Sequence, residues 1–134
     1  MGALTIDASV AVSIVRDRVT HAATLNRLSD ADAVYAPSFF VVETANALWK
    51  YVKGKHLSEA DAIVLHQDAT TLVDRPVDSA ELFPEALLLA SQLRHPVYDS
   101  LYLVTARRTG STLLTFDRGL AEIARKLKID VEVN

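Results

Sequence analysis

The sequence contains no cysteine, so it has no disulfide framework, no thiolate zinc site and no thiol nucleophile. This absence favours a cytoplasmic protein. The chain has only four glycines, at positions 2, 54, 110 and 119, which cannot form a glycine-rich dinucleotide loop or a P-loop. Uncharged apolar stretches such as residues 8–15 are far shorter than the roughly 20 residues of a membrane span. The N-terminal residues also lack the basic lead of a signal peptide, so we expect no membrane association.

An excess of positive charge is also missing. The formal net charge is −3, whereas domains that follow a phosphate backbone usually carry a net positive charge. Taken alone, this charge argues against nucleic-acid binding. The basic residues nevertheless occur in groups that could either hold phosphates or form ordinary solvated helix faces. These groups are residues 50–55, 107–108, 118 and 125–128.

What the chain does have is a composition typical of a folded domain, with 50% hydrophobic and 23% charged residues. Its length of 134 residues predicts one domain over residues 1–134. Apolar segments bounded by turn residues predict strands. The expected strands are 3–6, 33–37, 76–79, 111–116 and 130–133.

Helical patterns lie between those segments. The expected helices are 7–15, 18–29, 38–53, 58–73, 80–93, 98–109 and 117–129. Pro84 is expected in the first turn of its helix, where proline is well tolerated. Alternating strands and helices predict an α/β fold with a mainly parallel central sheet and helices on both faces. Ligands of such sheets bind beyond the carboxyl ends of the strands, where helices begin.

Four acidic residues occupy these junctions. Asp7 and Asp117 directly follow predicted strands, while Asp99 and Glu43 lie in the first turns of predicted helices. Each alone is compatible with a helix cap, a favourable dipole interaction or a solvated stripe. Four carboxylates at one end of a sheet would repel each other, and a divalent cation would remove that repulsion.

Oxygen ligands without histidine or cysteine favour Mg²⁺ or Mn²⁺ over zinc. The four histidines, at 21, 56, 66 and 95, are scattered, and we interpret them as surface or packing residues. A carboxylate-bound cation suits phosphodiester hydrolysis by metal-activated water. Leaving the four acids out also changes the formal net charge from −3 to +1, which weakens the argument against nucleic acid.

Four segments resemble the motifs of PIN-domain proteins, and most closely those of VapC-type toxins of toxin–antitoxin pairs. These segments are LTIDASVAVSIV, PSFFVVETANALWKY, HPVYDSLYLVTARRTG and LLTFDRGLAEIA. They occur in the family's order over nearly the whole chain, and each carries its acid.

The resemblance implies a single PIN-like domain that acts as an endoribonuclease dependent on Mg²⁺ or Mn²⁺. It implies that Asp7, Glu43, Asp99 and Asp117 form the catalytic, metal-binding set. It further implies supporting roles for Ser9, Asn46 and Thr115, which match polar positions of the motifs. RNA as substrate, a cognate antitoxin as inhibitor and a homodimer are the partners that it implies.

Two other functions remain open on the residues alone. One is a Mg²⁺-dependent phosphoryl-accepting α/β domain, but Ser9 stands where a phosphatase of that type has its second aspartate. Arg118 follows Asp117, whereas a receiver domain has a lysine at the end of a late strand. The other alternative is a PIN-like binding module without catalysis, whose acids bind arginines of a partner.

The aromatic-rich segments SFF and ALWKY allow a further hypothesis about partners. They could supply an apolar groove for an antitoxin helix or a dimer face. The alternative is that these aromatics pack in the core, as aromatics at helical spacing commonly do.

Overall fold

Five parallel strands form one sheet in the computed structural model, which describes residues 2–133. The strands are β1 (Leu4–Ile6), β2 (Val34–Pro37), β3 (Arg75–Val77), β4 (Thr112–Thr115) and β5 (Val131–Val133). Their order across the sheet is β3-β2-β1-β4-β5, so β1 is central. In this register Leu4 lies opposite both Val34 of β2 and Thr112 of β4. The predicted mainly parallel α/β sheet is therefore confirmed.

Seven helices connect and cover the strands in the described part of the chain. They are α1 (Ala8–Arg16), α2 (Ala22–Asp30), α3 (Phe40–Lys53), α4 (Glu59–Thr71), α5 (Ser79–Leu93), α6 (Val97–Thr109) and α7 (Arg118–Lys126). On one side α1 packs against α3 and α4, and on the other α6 covers β1, β2 and β4 beneath α5. The chain moves from β1 through β2 to β3 in one direction across the sheet and then crosses back to β4 and β5 in the other. Because such crossovers are right-handed, the two directions place the two helix layers on opposite faces of the sheet.

The core lies between those layers and includes the whole of β1. Leu4, Thr5 and Ile6 have no exposed surface, and neither do Leu113 and Leu114 of the adjacent β4. A strand buried on both faces has no room for a regular polar alternation, which explains the continuous apolar pattern of these segments. The ends of β1 and β4 are thereby held rigidly beside each other.

Two local expectations were wrong. Helix α5 begins at Ser79 because Asp78 caps it, its Oδ1 accepting a hydrogen bond from the Ala80 amide at 3.0 Å. Pro84 is consequently the sixth helical residue rather than part of the first turn, and the helix lacks the amide hydrogen bond of that position. Helix α2 begins at Ala22 and not at residue 18.

Chain segments that could cross a bilayer are also absent from the described residues. None of the helices within residues 2–133 combines the length and the apolar character that a membrane span needs.

Candidate active site

The central pair of strands, β1 and β4, creates the place where a ligand can bind. From β1 the chain continues to β2 on one side, whereas β4 and β5 lie on the other side. At such a reversal the connecting helices leave in different directions, and a crevice opens beyond the carboxyl ends of the strands. Asp7 directly follows β1, and Asp117 follows β4 after one intervening residue.

Asp7 is the most enclosed acid of this crevice, with 5% of its surface exposed. Its Oδ1 accepts hydrogen bonds from the Ser9 hydroxyl at 2.6 Å and from the Val10 amide at 3.2 Å. Its Oδ2 accepts one from the Thr115 hydroxyl at 2.5 Å. Burial raises the pKa of the Asp7 carboxyl, and the negative charge of Asp117 raises it too, while these hydrogen bonds partly oppose the shift.

Ser9 and Thr115 tie the two strand-to-helix turns together. The Thr115 hydroxyl that donates to Asp7 also accepts a hydrogen bond from the Asp117 amide at 3.0 Å. The Ser9 hydroxyl likewise accepts one from the Phe116 amide at 3.2 Å. Asp117 itself caps α7, its Oδ1 accepting from the Leu120 amide at 3.1 Å. Both expected supporting hydroxyls therefore lie between the two aspartates.

Glu43 enters the crevice from the first turn of α3. The buried Tyr102 hydroxyl, on α6, donates a hydrogen bond to Glu43 Oε1 at 2.6 Å. Burial raises the pKa of the Glu43 carboxyl, the Tyr102 hydrogen bond lowers it, and the charges of Asp7 and Asp99 raise it again. Burial also raises the pKa of the Tyr102 phenol, with a further contribution from Glu43, so this phenol remains a hydrogen-bond donor.

Asp99 lies in the first turn of α6, one turn before Tyr102. Its Oδ2 is 2.5 Å from Nε2 of His95, a residue just before the helix. His95, interpreted from the sequence as a surface or packing residue, is partly exposed and also contacts one of the four acids. The sequence held a signal for the His95 contact, since His95 precedes Asp99 by only four residues. It held none for the Tyr102 contact to Glu43, which depends on how α6 packs near α3.

All four acids line one cavity of about 530 Å³. Its other lining residues are Ala8, Ser9, Val12, Ser13, Ala47, Lys50 and Tyr51. Thr115 is buried behind Asp7. Asn46 is exposed on α3 and is not one of the described residues that line the cavity. The structure thus brings together the four acids, Ser9 and Thr115, but leaves Asn46 outside.

The four acids of the cavity offer only carboxylate oxygens as metal ligands, and hard divalent cations such as Mg²⁺ and Mn²⁺ prefer oxygen ligands. Mutual repulsion contributes to the raised pKa values of Asp7 and Glu43, and a cation between the acids would oppose it. Within residues 2–133, no group of three or more histidine or acidic side chains stands ready to hold a metal ion. The fit therefore rests on donor chemistry and on the shared cavity.

Comparison with known proteins assigns this architecture to a class. A family model described as PIN domain matches residues 4–126, and the chain belongs to that family. It is 28% identical over 121 residues to Ribonuclease VapC3 of Pyrobaculum aerophilum, covering 89% of this chain and 92% of that protein. It also resembles the crystal structure of PAE2754 from Pyrobaculum aerophilum, with a TM-score of 0.70 and 21% identity. That match covers 90% of this chain and 85% of the other, and it supports the fold alone.

Proposed function

We propose that this PIN-domain protein is a metal-dependent endoribonuclease and the toxin of a VapBC-type toxin–antitoxin pair. The observation that carries the proposal is the single cavity lined by Asp7, Glu43, Asp99 and Asp117, which lie at the starts of four different helices. The similarity to a protein named Ribonuclease VapC3 over most of both chains supports RNA as the substrate. The proposed site of action is the cytoplasm.

In this proposal Asp7, Glu43 and Asp99 hold the principal Mg²⁺ or Mn²⁺, and Asp117 completes the site. When bound, such a cation activates water and stabilises negative charge on phosphate oxygens. The protein's own contribution is orientation. Thr115 and Ser9 fix the Asp7 carboxylate, Tyr102 fixes Glu43 and His95 fixes Asp99, so the acids keep their positions despite their repulsion.

The phosphate backbone of RNA binds positively charged side chains, and one such side chain, Lys50, lines the cavity. Lys50 lies on α3, seven residues after Glu43, and is exposed at the cavity wall. The negative net charge of the whole chain does not oppose binding there, since the proposed metal ligands contribute four of the negative charges. Lys50 is thus the basic residue best placed to meet a phosphate next to the acids.

A cognate antitoxin and a second copy of the chain are the proposed protein partners. Apolar surface for them exists, because Trp49 and Ile63 remain 53% and 62% exposed beside a cavity of about 370 Å³ between α3 and α4. Trp49 of the ALWKY segment is thus not a core residue, whereas Phe40 of the SFF segment is buried. We expect size-exclusion chromatography with light scattering to give the mass of a dimer at micromolar concentration. A clean monomer would exclude the homodimer.

RNA cleavage by the purified protein tests the proposed activity. We expect the wild type to cut with Mg²⁺ or Mn²⁺ and to be silent with EDTA. Asp99→Asn should lower the cleavage rate by at least about a hundredfold. Loss of a residue that only supports a metal ligand costs up to about a hundredfold, and loss of a ligand should cost no less.

Two other outcomes would count against the proposal. Equal cleavage by wild type and Asp99→Asn would mean that the assigned site is wrong. Absence of cleavage on varied RNAs, together with no calorimetric binding of millimolar Mg²⁺ or Mn²⁺, would instead favour a binding module without catalysis.

A further inference from the structure

The cavity continues beyond the acids along the crossing of two helices. Helices α1 and α3 pack against each other, and the cavity wall follows both of them toward their last turns. On α3 the lining residues Glu43, Ala47 and Tyr51 recur at the spacing of one helix face. On α1 the residues Ser9, Val12 and Ser13 do the same.

The far end of the cavity has a different chemistry from the acidic end. The lining residues there are Tyr51 and Lys50 of α3 and Ser13 of α1. Tyr51 lies eight residues after Glu43 on one helix, a rise of about 12 Å. A phosphodiester at the acids would therefore leave a neighbouring nucleotide near Tyr51.

The Tyr51 ring is held in place by its own neighbour. The Arg16 guanidinium, in the last turn of α1, lies 3.7 Å from the ring centroid. This cation–π contact connects α1 to α3 at Tyr51, one of the residues that line the cavity. A ring that is already fixed loses little freedom when a ligand arrives, which favours binding. Aromatic rings and guanidinium planes are the surfaces on which unpaired RNA bases stack.

We propose that Tyr51 and Arg16 form a stacking site for one unpaired base of the RNA substrate, next to the cleaved bond, with Lys50 contacting a backbone phosphate. This inference rests on the proposed ribonuclease function and names the part of the substrate that the cavity selects. Stacking accepts any base, and Ser13, which also lines the cavity, has a hydroxyl that could add a preference through a hydrogen bond.

Binding of RNA without cleavage tests the stacking site. The probe is a short single-stranded RNA of mixed sequence labelled with fluorescein, titrated in the Asp99→Asn background so that it stays intact. Tyr51→Leu should weaken binding by roughly 5- to 100-fold, the range measured for loss of one stacked base. Tyr51→Phe keeps the ring and should keep most of the affinity.

Helix α3 supplies matched controls. Trp49→Leu removes an exposed ring from the same helix, but this ring lines the α3–α4 cavity and should not affect RNA affinity. Lys50→Gln should reduce the slope of log affinity against log salt by about 0.7, the value for one phosphate contact on a single strand. Lys53→Gln, whose ammonium group lies 5.3 Å from the Trp49 ring, should leave that slope unchanged.

A second probe of the same length that lacks bases separates stacking from a general disturbance. Tyr51→Leu and its parent should bind this abasic strand equally. The stacking site is excluded if Tyr51→Leu loses no more affinity than Trp49→Leu, or if its loss persists on the abasic strand. Cleavage by the unmodified protein is measured alongside. If it cuts RNA with metal while Tyr51 proves neutral, the ribonuclease function stands and only the stacking site fails.

Discussion

Three residues that carry no negative charge contact three of the four acidic side chains of the cavity. Thr115 binds Asp7, Tyr102 binds Glu43 and His95 binds Asp99. The contacts to Glu43 and Asp99 each engage one carboxylate oxygen, so the second oxygen can serve another ligand. Outer partners of this kind normally set the direction of a metal ligand, and their loss weakens the metal site without removing it.

Tyr102→Phe tests this role because it deletes only the hydroxyl that donates to Glu43. We expect Mn²⁺ affinity, measured by calorimetry, to fall by about 10- to 100-fold. The free energy of unfolding should fall by only about 1 kcal/mol, the typical net contribution of one hydrogen bond.

Tyr35→Phe on β2 is the matched control, since Tyr35 does not line the cavity. It should leave Mn²⁺ affinity unchanged. If both phenylalanine variants bind Mn²⁺ like the wild type, Tyr102 has a structural role only.

Sequence alone predicted which acids belong together better than it predicted what holds them. Asp7 and Asp117 follow strands, and Glu43 and Asp99 lie in the first turns of helices, so the expected fold already placed the four acids at one end of the sheet. Their role as metal ligands stays a prediction. Tyr102 was missed because its partner Glu43 is on another helix, 59 positions away in sequence. Such a contact follows from the packing of α3 near α6 and from no local pattern.

At the level of elements, α5 and α6 are joined by ion pairs between one glutamate and two arginines. Glu85 of α5 accepts from Arg107 at 2.7 Å and from Arg108 at 2.9 Å, both in the last turn of α6. Partial burial raises the pKa of the Glu85 carboxyl, but the hydrogen bonds and charges of Arg108 and Arg107 outweigh this effect and lower it. About a third of the Glu85 side chain remains exposed, so solvent weakens the interaction.

Glu85→Gln should therefore lower the free energy of unfolding at pH 7 by about 1 kcal/mol or less. A lowered folded-state pKa stabilises the protein above the ordinary value of 4.5 and loses this effect as the pH falls through the folded-state pKa. The difference between variant and wild type should accordingly be smaller at pH 3. Urea unfolding at both pH values measures it, and a difference independent of pH would contradict the assignment.

Element positions were predictable to within a few residues, but their arrangement was not. Hydrophobic period and turn residues marked the five strands and seven helices. Nothing in those patterns states that β4 lies beside β1 rather than beside β3. The strand order was not predicted, and it is known from the structure alone. The late start of α2 at Ala22 shows the same limit, because the turn before it is fixed by Asp17 and Thr20.

For the whole molecule, the acidic cavity should make stability depend on divalent cations. A ligand that binds only the folded state stabilises it by about 2.7 kcal/mol at a concentration 100 times its Kd. We expect Mn²⁺ to raise the thermal unfolding temperature of the wild type and EDTA to reverse the increase.

Asp99→Asn provides the comparison at this scale. Without metal it should be at least as stable as the wild type, because the charge of Asp99 acts unfavourably on Glu43. It should also gain much less from Mn²⁺. A variant that is strongly destabilised without metal would indicate that Asp99 has a structural role.

The position of β4 beside β1 has a consequence for synthesis on the ribosome. Asp7 emerges among the first residues, yet its partners Thr115 and Asp117 emerge only after four-fifths of the chain has been made. A chain that stops before β4 lacks the strand next to β1 and two members of the hydrogen-bonded group around Asp7. Every such fragment therefore lacks a complete cavity, and the site proposed for RNA cleavage is completed only at a late stage of synthesis.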